Sequence, residues 1–148
     1  MKRLTALAFA ALFSASCTFP LCAADDGEEK KHPIDQKIEK LSDDAKSTAA
    51  SSDAYRKGLE LWDAEMNRVY QDLKKLLPEK SFAVLKASQV QWLAYRDAQI
   101  AFINSCYDQY EGTMYQPMRA SAIMEVTRAR ALDLTKRYTM HKEHAAEQ

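Results

Sequence analysis

Residues 59–76 read LELWDAEMNRVYQDLKKL, and the apolar side chains Leu59, Trp62, Met66, Val69, Leu73 and Leu76 recur in steps of three and four. That rhythm is the seam of an amphipathic α-helix that needs an apolar partner along its length. A half-buried strand would alternate with period two, and this stretch does not. Pro78 ends the segment, because proline cannot continue the hydrogen-bond ladder and restricts the residue before it.

Working outward, the segment from about 79 to 111 keeps the same rhythm through Phe82, Leu85, Gln89, Trp92, Arg96, Gln99, Ile103, Cys106 and Tyr110. At 1.5 Å per residue it is about 45 Å long. Gly112 suits the C′ position of its end, a loop follows at 113–116, and Pro117 suits the first position of a last helix. That helix runs to about Tyr138, with Ala120, Ile123, Thr127, Arg130 or Ala131, Leu134 and Tyr138 facing inward. On the N-terminal side, Pro33 opens a helix of about three turns with Ile34, Ile38, Leu41 and Ala45 on one face. The Ser/Thr/Ala stretch 47–52 reads as a break or a re-capped continuation, with Asp53 a candidate N-cap. The short connection at Pro78 makes the second and third segments an antiparallel hairpin with the final helix packed along them. The expected fold is all-α, a small antiparallel helical bundle with a long central helical hairpin. Three glycines and four prolines are too few for the frequent turns of a sandwich or barrel.

The first residues address the compartment. Lys2 and Arg3 form a positive region, Leu4 to Ser16 an apolar run too short to span a bilayer, and Cys22-Ala23-Ala24 supplies small residues at −3 and −1. The expected organisation is a signal peptide at 1–24, a disordered leader at 25–32, a helical domain at 33–139 and a frayed polar tail at 140–148. Neither Cys17 nor Cys22 follows the aliphatic pattern of a lipidated cysteine. No other apolar run approaches membrane-spanning length, so the chain is not an integral membrane protein and is expected in the periplasm or secreted. Removing Lys2 and Arg3 from the 21 basic residues leaves a net charge of −2 against the 21 acidic ones. That near-balance excludes the basic excess of a nucleic-acid binder. Cys106 then stands alone, read as a buried free thiol on a helix in preference to an intermolecular disulfide, and a disulfide framework is excluded.

Polarity on the seam is the anomaly. Gln89, Arg96 and Gln99 occupy inward positions beside Trp92, Asp63 and Asn67 lie one turn apart on the partner segment, and Thr127 and Arg130 lie on or beside the third stripe. Buried polar groups need partners, so these residues form either an interhelical network, in which Arg96 meets Asp63 or Asp97, or the lining of a binding face. Chemistry-bearing motifs are thin: no nucleophile turn, no glycine-rich phosphate loop, no Cys-x-x-Cys. His141 and His144 lie at i, i+3 without a third ligand, so no metal and no cofactor is expected. The loop with Glu111, Met114 and Tyr115 offers apolar anchors for a partner. The chain reads as a binding module and not an enzyme.

The run Trp62-Asp63-Ala64-Glu65-Met66-Asn67-Arg68-Val69-Tyr70 resembles a signature of the LprI-type lysozyme inhibitor N-terminal family. So do Leu85, Ser88, Gln89, Trp92, Tyr95, Arg96 and Asp97 in their spacing, Gly112-Thr113, and Thr127 with Arg130. The resemblance spans about 34–138. Many members carry a cysteine pair where this chain has Ile100 and Ala122, so a bridge that the resemblance would imply is missing here. What it implies is an exported helical binding module whose partner is a lysozyme-type glycoside hydrolase. The alternative is an envelope-associated structural or interaction protein with another partner.

Intact-mass measurement of the exported protein is expected to place its N-terminus at Asp25 with no acyl chain. A diacylglycerol mass on Cys17 or Cys22 overturns that.

Overall fold

The structure, a computed structural model, describes residues 31–147. The expected signal peptide, its cleavage after Ala24 and leader residues 25–30 lie outside the described residues. Four helices follow one another: α1 (Pro33–Asp43), α2 (Thr48–Leu76), α3 (Glu79–Tyr107) and α4 (Tyr115–Ala146). The described residues contain no strand, and no helix among them is long and apolar enough to cross a membrane.

Local chemistry sets the boundaries, and several differ from the sequence expectation. Pro33 stands in the first turn of α1 as expected, but His32 is no part of a loose leader. It caps the helix, its Nδ1 accepting the Ile34 N–H at 3.2 Å. Ser47 opens α2 by accepting the Ala50 N–H at 3.1 Å, so the cap lies six residues before Asp53. Residues 48–52 are helical, and the Ser51 and Ser52 hydroxyls donate to the carbonyls of Ser47 and Thr48, four residues earlier. Pro78 separates α2 from α3 as expected. α3 stops at Tyr107, before the expected end, and Gly112 takes φ +107° in the turn that follows. α4 starts at Tyr115, which puts Pro117 at its third residue, still within the turn whose N–H groups have no helical acceptor. It continues to Ala146, past the expected end near Tyr138, but residues 139–146 are exposed. The polar tail is thus helical without being packed.

The close pair is α2 with α4, not α2 with α3. The core joins Trp62, Met66, Val69 and Leu73 of α2 to Met124, Ala131 and Leu134 of α4, with Ile38 of α1 closing one end. Gly58 lies beside Met124, and Trp62 beside Arg128. Ascending α2 therefore ascends α4, and the two run parallel. A chain that must leave the end of one helix and start at the beginning of a parallel neighbour needs a return stroke of matching length. α3 is that stroke, 29 residues against the 29 of α2. Its Phe82 ring packs on Tyr70 and its Gln89 reaches Met66, so α3 runs antiparallel to α2. Leu85 and Trp92 lean on the core, yet no residue of α3 is buried.

Thr127 and Ala131, 1 % and 0 % exposed, keep the inner face of α4 small. Gly58 does the same where three helices meet. A Cβ there would come within 2.6 Å of Met124 Sδ and 2.7 Å of Ile38 Cδ1, so the helical cost of glycine is outweighed by close approach. At the centre sits Trp62, fully buried. One contact is the His32 ring, centroid to centroid 4.6 Å, and another is the Arg128 guanidinium, 5.6 Å from the ring centroid. Arg128 is itself held by Asp35 of α1 through two parallel bonds, 2.9 Å from Nε and 2.8 Å from Nη2. The indole N–H has no hydrogen-bond partner in the protein. An unpaired buried donor has a desolvation cost, so the apolar surface of the ring is what holds it there.

Trp62→Ala should therefore destabilise the fold by about 3–5 kcal/mol in urea unfolding. Trp62→Phe should cost clearly less, because it removes the unpaired donor while keeping an aromatic ring. Equal losses for the two changes would contradict this account.

Candidate functional site

The polar seam separates into two groups once the helices are in place. Arg130 is the inward arginine. Its side chain is 13 % exposed, and it donates to Gln89 Oε1 at 3.1 Å, Ser88 Oγ at 3.3 Å and Asp133 Oδ2 at 3.0 Å. Burial pushes its pKa down and the nearby Asp133 carboxylate opposes that, so the guanidinium stays charged and tethers α3 to α4. Gln89 completes the link by donating to Met66 Sδ at 3.5 Å. Thr127 is buried beside this network on α4. These residues form a structural lock between helices.

Of the two partners expected for Arg96, Asp63 and Asp97, it meets Asp97, and this contact links no two helices. It bonds Asp97, its neighbour on the same helix, at 3.0 and 3.1 Å and lies over the Trp92 ring at 5.6 Å. Asp63 instead accepts from Asn67 one turn along α2 at 3.0 Å. Tyr95 is 54 % exposed. The physical reason is the topology: α2 turns its buried stripe to α4, which leaves Asp63 no facing partner on α3. Farther along α2, Arg68 bonds Glu65 and holds its carboxyl below the usual range, chiefly through that hydrogen bond. Stability from this pair is present above the ordinary carboxylate pKa and is lost as pH falls through the lowered one.

The other end of the molecule carries a second feature. Between α3 and α4 the chain turns at 108–114, and three tyrosines gather there. Tyr110 stacks on Tyr115 at 4.9 Å with 24° between planes, and Tyr107 meets Tyr110 edge-on at 6.1 Å. Arg119 pairs with Asp108 across the turn. The three tyrosines and Arg119, with Gly112, Thr113 and Gln116, line an open pocket of about 360 Å³. Met114 and Tyr110 are 60 % and 56 % exposed, Glu111 is exposed, and Tyr115 is half-buried under its stacking partner. The expected anchors Met114 and Tyr115 thus divide: Met114 projects, and Tyr115 supports Tyr110. Sequence reading passed over Tyr107, Tyr110 and Arg119 as binding residues, although three tyrosines within nine residues around a glycine are visible in the sequence. Backbone turn, aromatic stack and ion pair together brace this end of the molecule, with Met114 and Tyr110 exposed beside the pocket and charged side chains around it.

Among the described residues no three His, Cys, Asp or Glu side chains are grouped to hold a metal, and His141 and His144 are exposed on the unpacked end of α4. Cys106 is a free thiol but only half-buried, not buried as expected, because it stands in the last turn of α3, the helix laid at the edge of the bundle.

Residues 39–134 match the family described as lysozyme inhibitor LprI, which is a family of inhibitors and not of catalysts. No curated protein matches the chain. Among solved structures, the crystal structure of an uncharacterized protein from Burkholderia thailandensis is similar, with a TM-score of 0.70 and 26 % identity over 76 % of this chain. The chain spans 57 % of that protein's length.

Arg130→Met should lower stability by about 1–3 kcal/mol, since it leaves Gln89 and Ser88 without their donor. Arg96→Met should change it by less than about 1 kcal/mol, because an exposed pair on one helix is worth little. Thermal melts of the two variants side by side check the order, and a larger loss for Arg96 would reverse the assignment.

Proposed function

Because the chain belongs to the LprI lysozyme inhibitor family, we propose that it is an exported module that binds a lysozyme-type muramidase and slows it. The family match over 39–134 is the observation that carries this reading. Export rests on the positive start, the short apolar run and the small residues before Asp25. A glycoside-cleaving site works through two carboxyl groups flanking the scissile bond in a cleft. A protein blocks such a cleft by filling it and needs no chemistry of its own. The α3–α4 tip has the features that task requires. Tyr110 and Met114 project from it, Tyr115 and Tyr107 stiffen it, and the charged rim contains Arg119, Asp108 and Glu111. Rigid aromatic anchors bind with little loss of side-chain entropy, and a few such residues carry most of an interface's energy.

Lysis assays on purified cell walls with c-, g- and i-type lysozymes test the activity. Inhibition of at least one type at micromolar concentration is expected. The double change Tyr110→Ala with Met114→Ala should weaken it tenfold or more, about 1.4 kcal/mol, with the helical spectrum intact. No inhibition of any type at about 100 μM, well above a micromolar Kd, would turn the reading to an envelope-interaction protein. Inhibition unchanged in the double variant would keep the activity and reject the tip.

A further inference from the structure

The end of the bundle away from the 108–114 turn carries a groove whose two walls differ in chemistry. α2 and α3 make one wall, and Leu73, Leu77, Val84 and Leu85 give it an apolar surface. Leu73 is buried, Leu77 and Leu85 are partly covered, and Val84 is 67 % exposed. α4 makes the other wall with Arg130, Arg137 and His141, which follow one another in steps of seven and four and so share one face of the helix. The groove is open and about 380 Å³ in volume, inside the range of about 300–1,000 Å³ typical of small-molecule sites.

The cationic wall is under-neutralised. Among the described residues Asp133 is the one carboxylate that either arginine bonds. Its Oδ2 accepts from Arg130 Nη1 at 3.0 Å, and its Oδ1 accepts from Arg137 Nε at 3.1 Å and lies 3.0 Å from Nη2. Two guanidiniums on one carboxylate leave one positive charge over. Arg68 and Arg128, by contrast, each have two acids. Burial pushes the Arg130 pKa down, and the charge of Arg137 adds to that. Arg137 meets Asp133 through Nε and Nη2, which leaves its Nη1 edge for a further acceptor.

We propose that this groove binds a fatty acid, with the acyl chain along Leu77, Val84 and Leu85 and the carboxylate on Arg137 beside Arg130. A carboxylate carries the single negative charge that balances the wall and suits the guanidinium fork. A phosphate monoester, at about −1.5 to −2, exceeds it. The apolar wall requires a tail, since a bare anion would leave those side chains in water. At roughly 30 Å³ for a water-sized group, the groove holds about a dozen such groups. That is one chain of about ten carbons with its head, and not the two chains of a membrane lipid. The groove lies away from Tyr110 and Met114, so a fatty acid and a muramidase would use different surfaces.

Equilibrium dialysis of the purified protein against labelled decanoate should show one site with a Kd of about 10–100 μM. Octanoate should compete about tenfold more weakly, because two fewer methylenes are buried. Acetate, the head alone, and octanol, the tail alone, should each compete more weakly than octanoate. Arg137→Gln should weaken decanoate binding about tenfold. Val84→Glu, which sets a negative charge on the apolar wall, should weaken it at least as much. Both side chains are exposed, so the helical spectrum and melting temperature should stay as in the wild type. No binding of decanoate at about 1 mM, about ten times the upper Kd, overturns the proposal. So does octanol competing as well as octanoate, decanoate binding unchanged in either variant, or decyl phosphate binding more tightly than decanoate.

Discussion

The bundle depends on one aromatic ring being walled in. Trp62 contributes the largest buried surface of the core, but its N–H has no hydrogen-bond partner in the protein, so its place must be held by packing. Arg128 makes part of that wall: one planar guanidinium stacks on the indole and grips the Asp35 carboxylate with two bonds. The same arginine therefore joins α4 to α2 through the ring and to α1 through the carboxylate. A bidentate pair that is only 29 % and 13 % exposed is worth more than the surface pairs along α2, and lysine could not reproduce its plane or its fork. Gly58 and Ile38 lie four residues before Trp62 and one turn after Asp35, so the cover of α1 extends directly from this contact.

Arg130 performs the corresponding task for α3 in weaker form. It ties Gln89 and Ser88 to α4 near the middle of the bundle, and nothing on α3 reaches full burial. The bundle is thus graded: an α1–α2–α4 core with a tryptophan at its centre, and a third long helix laid against its edge. The tip at 108–114 projects from the far end of that lightly held helix, stiffened by its own aromatic stack. An outer face of α3 that keeps apolar residues in water is the other side of the same arrangement.

Much of this was legible in residues 59–76. Their seam named Trp62, Met66, Val69 and Leu73, and all four are buried. The inward positions of α3 were legible in part: Phe82, Leu85, Gln89, Trp92, Arg96, Gln99, Ile103 and Cys106 are each partly covered, but Tyr110 lies past the end of the helix and is exposed. What a seam cannot state is its partner. A short connection after Pro78 makes α2 and α3 antiparallel but not the closest pair, and Thr127 and Ala131 give α4 the smaller face and the nearer approach. Arg96 and Arg130 looked alike in sequence, and only the parallel course of α2 and α4 decides which one faces the interior. The Asp35–Arg128 clamp joins residues 93 apart and leaves no local periodic mark. The tip was half legible: Met114 stood out as exposed, while the support of Tyr115 by Tyr110 depends on the turn around Gly112.

The parallel course of α2 and α4 also sets an order of events. A chain made from its N-terminus produces α1, α2 and then α3, yet the residues that seal Trp62, Met66 and Leu73 belong to α4. Until about residue 134 is available, the apolar stripe of α2 has no partner that can bury it, and α3 can shelter it only partly. Closure therefore waits for the last helix, whose contacts with α2 are non-local and form late.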